Sequence, residues 1–378
     1  MIDKGSVRAR MLGGLAVVAI VAAACSSSTA STAPSVAPSV APSVAASTAP
    51  STGASPSAAG AMYTIGVSNT VAGNGWREEM ICSIKAQSLV SGQVSGLTVL
   101  HRNTDAAGQL EDIRNLIAKK VNAIILNPAS PDALNPAIEE AISAGIVVIA
   151  VDQAVTAPGA YLMANDQEQY GYLGASWLFK QMGGKGAVVY MRGASGASAD
   201  KDRDTGFKKA LAENPGITIA SETYTGWDQT KGVQQINDFL ATGKPYDGIW
   251  TSGIDNVIVS ALKAANAKMV PIVGADNAGF VTQLLNEPNL KGAAVTNPAS
   301  VGGAGVTLAL KILGGQKPAA SAVLVTPAVW DNTTDAGKAA LTAANNPAID
   351  PTWPLGISIP NWTTYTQDQI LACKGPGE

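Results

Sequence analysis

From Thr64 to Thr296, short β-branched and aliphatic runs alternate with segments of helical period. This alternation restricts the chain to parallel sheets covered by helices. Strands are predicted at 64–68, 97–101, 122–127, 146–151 and 160–164, then at 186–191, 217–221, 248–250, 270–274 and 292–296. Most are nearly continuous in apolar residues, as strands buried on both faces must be. Between them, Leu134, Ala137, Ile138, Ala141 and Ile142 fall on one helical face, and Gly145 supplies a left-handed stop. Leu110, Ile113 and Ile117 repeat the pattern behind Asp105, a candidate N-cap. Pro136 is awkward inside its segment, so the regular helix there is expected to begin at Asn135. Ten strands over about 240 residues suit two doubly wound sheets better than one.

In open α/β sheets ligands bind at the carboxyl ends of the strands. Those ends carry Asn74, Trp76 and Arg77 after the first strand, Asn127 after the third and Asp152-Gln153 after the fourth. Asp276-Asn277 and Asn297 follow the ninth and tenth. Any one of these alone reads as a turn former or helix cap. Together, at equivalent positions, they describe a polar cleft. Trp76 and Trp227 lie in loops beside the charged groups Arg77 and Asp228. Carboxylates, amides, arginines and flat indoles suit a polyhydroxylated ring, because each hydroxyl both donates and accepts.

The amino-terminal part has a different texture. Lys4, Arg8 and Arg10 precede an apolar stretch, 11–23, too short to span a bilayer comfortably. Ala22-Ala23-Ala24 then lead into Cys25, resembling a bacterial lipobox with Cys25 as the lipidated residue. The other reading is an ordinary export signal cut nearby. Residues 26–61 contain only Ser, Thr, Ala, Pro, Val and Gly, with three APSV units between Ala33 and Val44. Such a composition cannot build a core and suits a tether. With Cys25 set aside, Cys82 and Cys373 are an even pair in an exported chain and are expected to form a disulfide; two buried free thiols are the alternative.

The formal net charge of -3 becomes more negative without residues 1–24, which hold three basic residues and one acidic one. A nucleic-acid partner would require a basic face. One histidine, His101, and three scattered cysteines make a structural zinc site improbable, and no cofactor motif is present.

The folded part resembles the type I periplasmic sugar-binding proteins, most closely the ribose-binding group. The likeness rests on the order and spacing of IGVSNTVAGNGWREEM, IILNPASPDAL, IVVIAVDQAV, ANDQEQYGYLGASWL, DKDRDTGFKKAL and IVGADNAGF. It implies a two-lobed fold that closes on one sugar. By position it assigns ligand contacts to Asn74, Trp76, Arg77, Asn127, Asp152, Gln153, Arg203, Trp227, Asp276 and Asn297. Arg77 replaces a second aromatic, Gln153 an arginine and Ala275 an aromatic. TSGID is one residue longer than the family pattern, so Ser252 or Asp255 substitutes for its asparagine. Apart from the resemblance, Arg203 also reads as a solvated member of the charge run 200–204.

The resulting division is 1–24 signal, 25–61 lipidated cysteine and tether, 62–165 plus 297–325 lobe 1, and 166–296 lobe 2. Residues 326–378 form an extension crossing back to lobe 1. The expected role is that of an extracytoplasmic, lipid-anchored monomer that binds a monosaccharide or polyol for an ABC permease. Alternatives are a lipoprotein presenting sugar to a receptor or sensor kinase, and a glycosidase using Asp152 and Asp276. Glycoside hydrolysis requires two carboxyls flanking one bond, whereas these fall in different lobes. A transcription regulator of this fold would need an amino-terminal helix-turn-helix, and 1–61 contain none.

Overall fold

The computed structural model describes Gly60 and residues 62–378. The export signal, Cys25 and the tether apart from Gly60 lie outside the described residues. The first lobe begins β1 (Tyr63–Asn69), α1 (Gly75–Val90), β2 (Val94–His101), α2 (Ala106–Ala118), β3 (Ala123–Asn127), α3 (Asn135–Ser143), β4 (Val147–Val151) and β5 (Tyr161–Asn165). The second contains α4 (Gln167–Gln181), β6 (Lys185–Arg192), α5 (Ser198–Ala212), β7 (Gly216–Tyr224), α6 (Gln229–Ala241), β8 (Gly248–Trp250), α7 (Asp255–Ala264), β9 (Ile272–Ala275), α8 (Ala278–Asn286) and β10 (Gly292–Val295). The chain continues through α9 (Val301–Leu313), β11 (Ala322–Val325), β12 (Val329–Asp331), α10 (Asp335–Ala344) and α11 (Gln367–Ala372).

Two six-stranded sheets result, β11-β5-β4-β3-β1-β2 in lobe 1 and β12-β10-β9-β8-β6-β7 in lobe 2. All pairings are parallel except β10 with the edge strand β12. Each sheet is covered on both faces, so each lobe has two apolar cores. In lobe 1, Ile65, Ile125 and Ile149 pack with Met80 and Leu308, while Ile124 and Val148 pack with Ile113 and Ile138. In lobe 2, Val189 and Ile272 pack with Ile258 and Phe280, while Val188 and Val273 pack with Phe179 and Phe207. The alternation of the strands dictates this arrangement, since successive side chains enter opposite cores.

Helix α3 starts at Asn135, which puts Pro136 in the first turn, where no backbone partner is lost. Strands β11 and β12, which the sequence pattern did not single out, add an edge to each sheet. The chain crosses between lobes from β5 to α4, from β10 to α9 and from β11 to β12. The tail does not return to lobe 1 directly after residue 325. It first supplies β12 and packs α10 against β12 and α8 in lobe 2. Only then does it reach lobe 1, where α11 packs on α1 and Cys373 is disulfide-bonded to Cys82 with Cα atoms 4.5 Å apart.

Candidate functional site

A cavity of about 340 Å³ opens where the carboxyl ends of the two sheets face each other. Asn74, Trp76, Arg77, Asp152, Gln153, Arg203, Trp227, Asp276 and Asn297 line it, joined by Ser252. Asn74 has two roles. It caps α1 by accepting from the Arg77 N–H at 3.2 Å, and its amide donates across the cleft to the Trp227 carbonyl at 3.4 Å. This residue is thus a helix cap that also lines the cavity.

The lobe 1 half holds two hydrogen-bonded sets, one around Arg77 and one around Asp152. Arg77 is 6% exposed and donates to Asn69 Oδ1 at 2.8 Å. Asn69 in turn meets His101 Nδ1 at 2.8 Å, and His101 Nε2 meets Glu78 at 2.9 Å. Because the Asn69 amide donates, Nδ1 accepts and the Nε2 proton points to the Glu78 carboxylate. Asp152 sits in a left-handed conformation, φ 66°, at the end of β4. Its carboxylate accepts from Asn127 at 3.4 Å and from Gln167 at 3.0 Å. Gln153 donates to Asn127 Oδ1 at 3.1 Å, so Asn127 stands behind the lining and orients two residues within it. Burial pushes the Asp152 carboxyl above its ordinary range, against the pull of Arg77 and Arg203. Burial lowers the Arg77 guanidinium, and Asp152 opposes that shift.

Gln167, missed by the sequence reading, is the hub between the lobes. It stands at the β5–α4 crossing, donates to Asp152 and Asn297, and accepts from Arg203 Nε at 2.8 Å. The signal that could have found it is its place just after a strand end, inside ANDQEQYGYL. Asn297 lies among nitrogen donors of Trp76, Asn165, Gln167 and Arg203 at 3.0–3.2 Å. Arg203 is 5% exposed and covers the Tyr170 ring at 4.3 Å, so it is not a solvated member of a charge run.

Lobe 2 presents less satisfied groups. Asp276 is wholly buried. Its Oδ1 accepts from the Asn297 N–H at 3.0 Å, and its Oδ2 has no partner. Burial pushes its carboxyl up to about 7, opposed by that N–H. Ser252 Oγ and Trp227 Nε1 are likewise buried without partners. The Trp227 ring is admitted by Gly193, where any Cβ would come within 2.3 Å of it.

Asp255, expected to substitute for a family asparagine, does not line the cavity. Its carboxylate is turned inward and accepts from Thr251 Oγ1 at 2.7 Å, Ala275 N–H at 3.0 Å, Gly253 N–H at 3.1 Å and Asn277 Nδ2 at 2.6 Å. Four donors from the ends of β8 and β9 hold it as a structural staple, and the buried Ser252 lines the cavity instead.

The periplasmic binding protein domain family matches residues 65–317. The chain belongs to this family. Like other periplasmic binding proteins it has two parallel-dominated lobes. It is 28% identical to the xylitol-binding protein of Mycolicibacterium smegmatis over 239 residues, 62% of this chain and 68% of the relative. It is 27% identical to the ribose import binding protein of Haemophilus influenzae, covering 58% of this chain and 76% of the relative. An ABC transporter solute-binding protein structure from Thermobispora bispora superposes with a TM-score of 0.70 at 22% identity, covering 82% of this chain and 94% of the other. Both relatives are binding proteins by name, the second for ribose import.

Proposed function

We propose that this protein captures a monosaccharide or polyol between its lobes as the extracytoplasmic component of an ABC importer. In this reading Cys25 carries the lipid anchor and residues 26–61 hold the domain off the membrane. The observation that carries the proposal is the buried, unpartnered Asp276 Oδ2 in a cavity already furnished with Arg77, Asp152 and Arg203. A buried carboxylate oxygen without a donor is costly, and a ligand hydroxyl is the donor that also accepts from the neighbouring arginines. The names of the xylitol- and ribose-binding relatives support the same ligand chemistry.

The test is calorimetry with a panel of pentoses, hexoses and polyols on wild type, Asp276→Ala and Lys338→Ala, the last on the exposed face of α10. Losing the carboxylate should weaken the best ligand by about 1–3 kcal/mol, roughly 5- to 150-fold. If Asp276→Ala binds as tightly as Lys338→Ala, Asp276 does not hold the ligand.

A further inference from the structure

The family match ends at residue 317, yet part of the cavity is made from chain beyond it. Thr352 and Pro354 both line it. They belong to the segment Asp350–Leu355, which is fixed to lobe 2. Ala278 N–H donates to the Trp353 carbonyl at 2.8 Å, and Gly279 N–H to the Pro351 carbonyl at 3.0 Å. Leu355 N–H donates to the Asp276 carbonyl at 2.9 Å. The first two bonds satisfy N–H groups that the start of α8 leaves without helical partners. Asp350 folds the segment by accepting from the Thr352 N–H at 2.8 Å and hydroxyl at 2.7 Å. On either side, Ile349 and Leu355 are buried in the lobe 2 core.

The opposite neighbour belongs to lobe 1. A Cβ on Gly75, the first residue of α1, would lie 2.5 Å from the Thr352 carbonyl oxygen and 2.7 Å from its carbon. These are backbone atoms, which cannot swing aside as a side-chain tip would. Gly75 does not have a positive φ, so the approach of the segment, and not local conformation, requires glycine there. Beyond Leu355 the chain enters the lobe 1 core at Ile359. It is then held by Thr307 Oγ1 donating to the Trp362 carbonyl at 2.6 Å, by Gln87 accepting from the Thr364 N–H at 2.9 Å and by the Cys82–Cys373 disulfide. Residues 355–359 are therefore a fourth crossing between the lobes, with both ends anchored.

We propose that Asp350–Leu355 is a fixed third wall of the ligand site, on which the amino-terminal end of α1 seats when the cleft shuts. The wall deepens the sugar-binding reading and rests on it. It moves with lobe 2, because its main-chain bonds are to α8 and Asp276. The contact that forms on closure is Thr352 against Gly75, beside the Asn74–Trp227 bond. The wall bounds the ligand on that side and excludes solutes that project past it.

The test is calorimetry with xylitol and D-ribose on wild type, Gly75→Ala, Thr352→Trp and the control Lys338→Ala, with melting temperatures of the ligand-free proteins. Alanine is a better helix residue than glycine, so Gly75→Ala should melt no lower than wild type when ligand-free. It should nonetheless lose about tenfold or more in affinity, because closure brings the new methyl against the Thr352 backbone. Thr352→Trp, which fills the cavity from the wall, should lose at least as much. Polyol binding that is equal in wild type and both variants overturns the wall and leaves the sugar reading standing. If wild type instead takes L-glutamine and neither xylitol nor D-ribose, the sugar reading falls, and loss of that binding in both variants still upholds the wall.

Discussion

The two halves of the cleft are built on opposite principles. In lobe 1 the charged and amide groups are held by partners: Arg77 rests on Asn69, and Asp152 is held by Asn127 and, from the crossing into lobe 2, by Gln167. In lobe 2, Asp276 Oδ2 and Ser252 Oγ are buried with no partner. A satisfied polar network contributes to the fold whether or not ligand is present, whereas an unsatisfied group is a cost that only ligand relieves. Under the proposed function, lobe 1 is preorganised for the solute and lobe 2 gains most from it, which is the differential contact that closure needs.

This contrast separates stability from affinity, and substitutions on the two sides should behave differently. The largest effect is expected on the satisfied side. Arg77→Ala removes a buried cation facing Asp152 and leaves Asn69 Oδ1 without its donor. Removing one member of a buried charge set is strongly destabilising, so urea denaturation of the ligand-free protein should show a loss of about 3 kcal/mol. A ligand-free stability within about 0.5 kcal/mol of wild type, the range of ordinary surface changes, would show that the network is not structural.

On the unsatisfied side the sign of the stability change should reverse. Ser252→Ala deletes a buried hydroxyl that bonds to nothing in the ligand-free cleft. Stability should hold or rise slightly, while affinity for the best polyol falls by about 1 kcal/mol. Paired denaturation and calorimetry read both quantities. A variant that loses stability without losing affinity would place Ser252 with the lobe 1 type of residue.

The same contrast explains what the sequence disclosed. Strand and helix alternation follows from apolar period, a local property, so ten of the twelve strands were legible, from Ile65 to Val295. Strands β11 and β12 were not, because they are runs of four and three residues with no helix between them to continue the alternation. Cavity-lining residues at strand ends were legible where the side chain faces the cleft. Asp255 was misplaced because a one-residue longer loop turns its carboxylate onto the backbone of β9, which spacing alone does not reveal. Gln167 was missed because its role depends on three partners distant in sequence, Asp152, Arg203 and Asn297. The tail's share of the cavity, through Thr352 and Pro354, lies past residue 317, where the family match ends, and came only from tertiary structure.

The smallest expected effect sharpens the comparison through protons. Burial pushes Asp276 up to about 7 and Asp255 up to about 6. Both folded values lie above the ordinary value of 3.8, so the folded protein binds more protons than the unfolded chain between them. Their contribution to stability is full below the unfolded value and is lost as pH rises through the folded ones. Ligand should divide the pair. A hydroxyl donated to Asp276 Oδ2 favours the carboxylate and lowers its value, whereas Asp255 already has four donors and does not meet the ligand. Binding should therefore release a fraction of a proton at about pH 6.5, and affinity should rise modestly from there toward pH 8. Calorimetry in buffers of different ionisation enthalpy measures the release, which Asp276→Asn should abolish. Proton uptake instead of release would mean that the ligand accepts from a neutral Asp276, and the orphan oxygen would then be a donor held ready and not an acceptor left open.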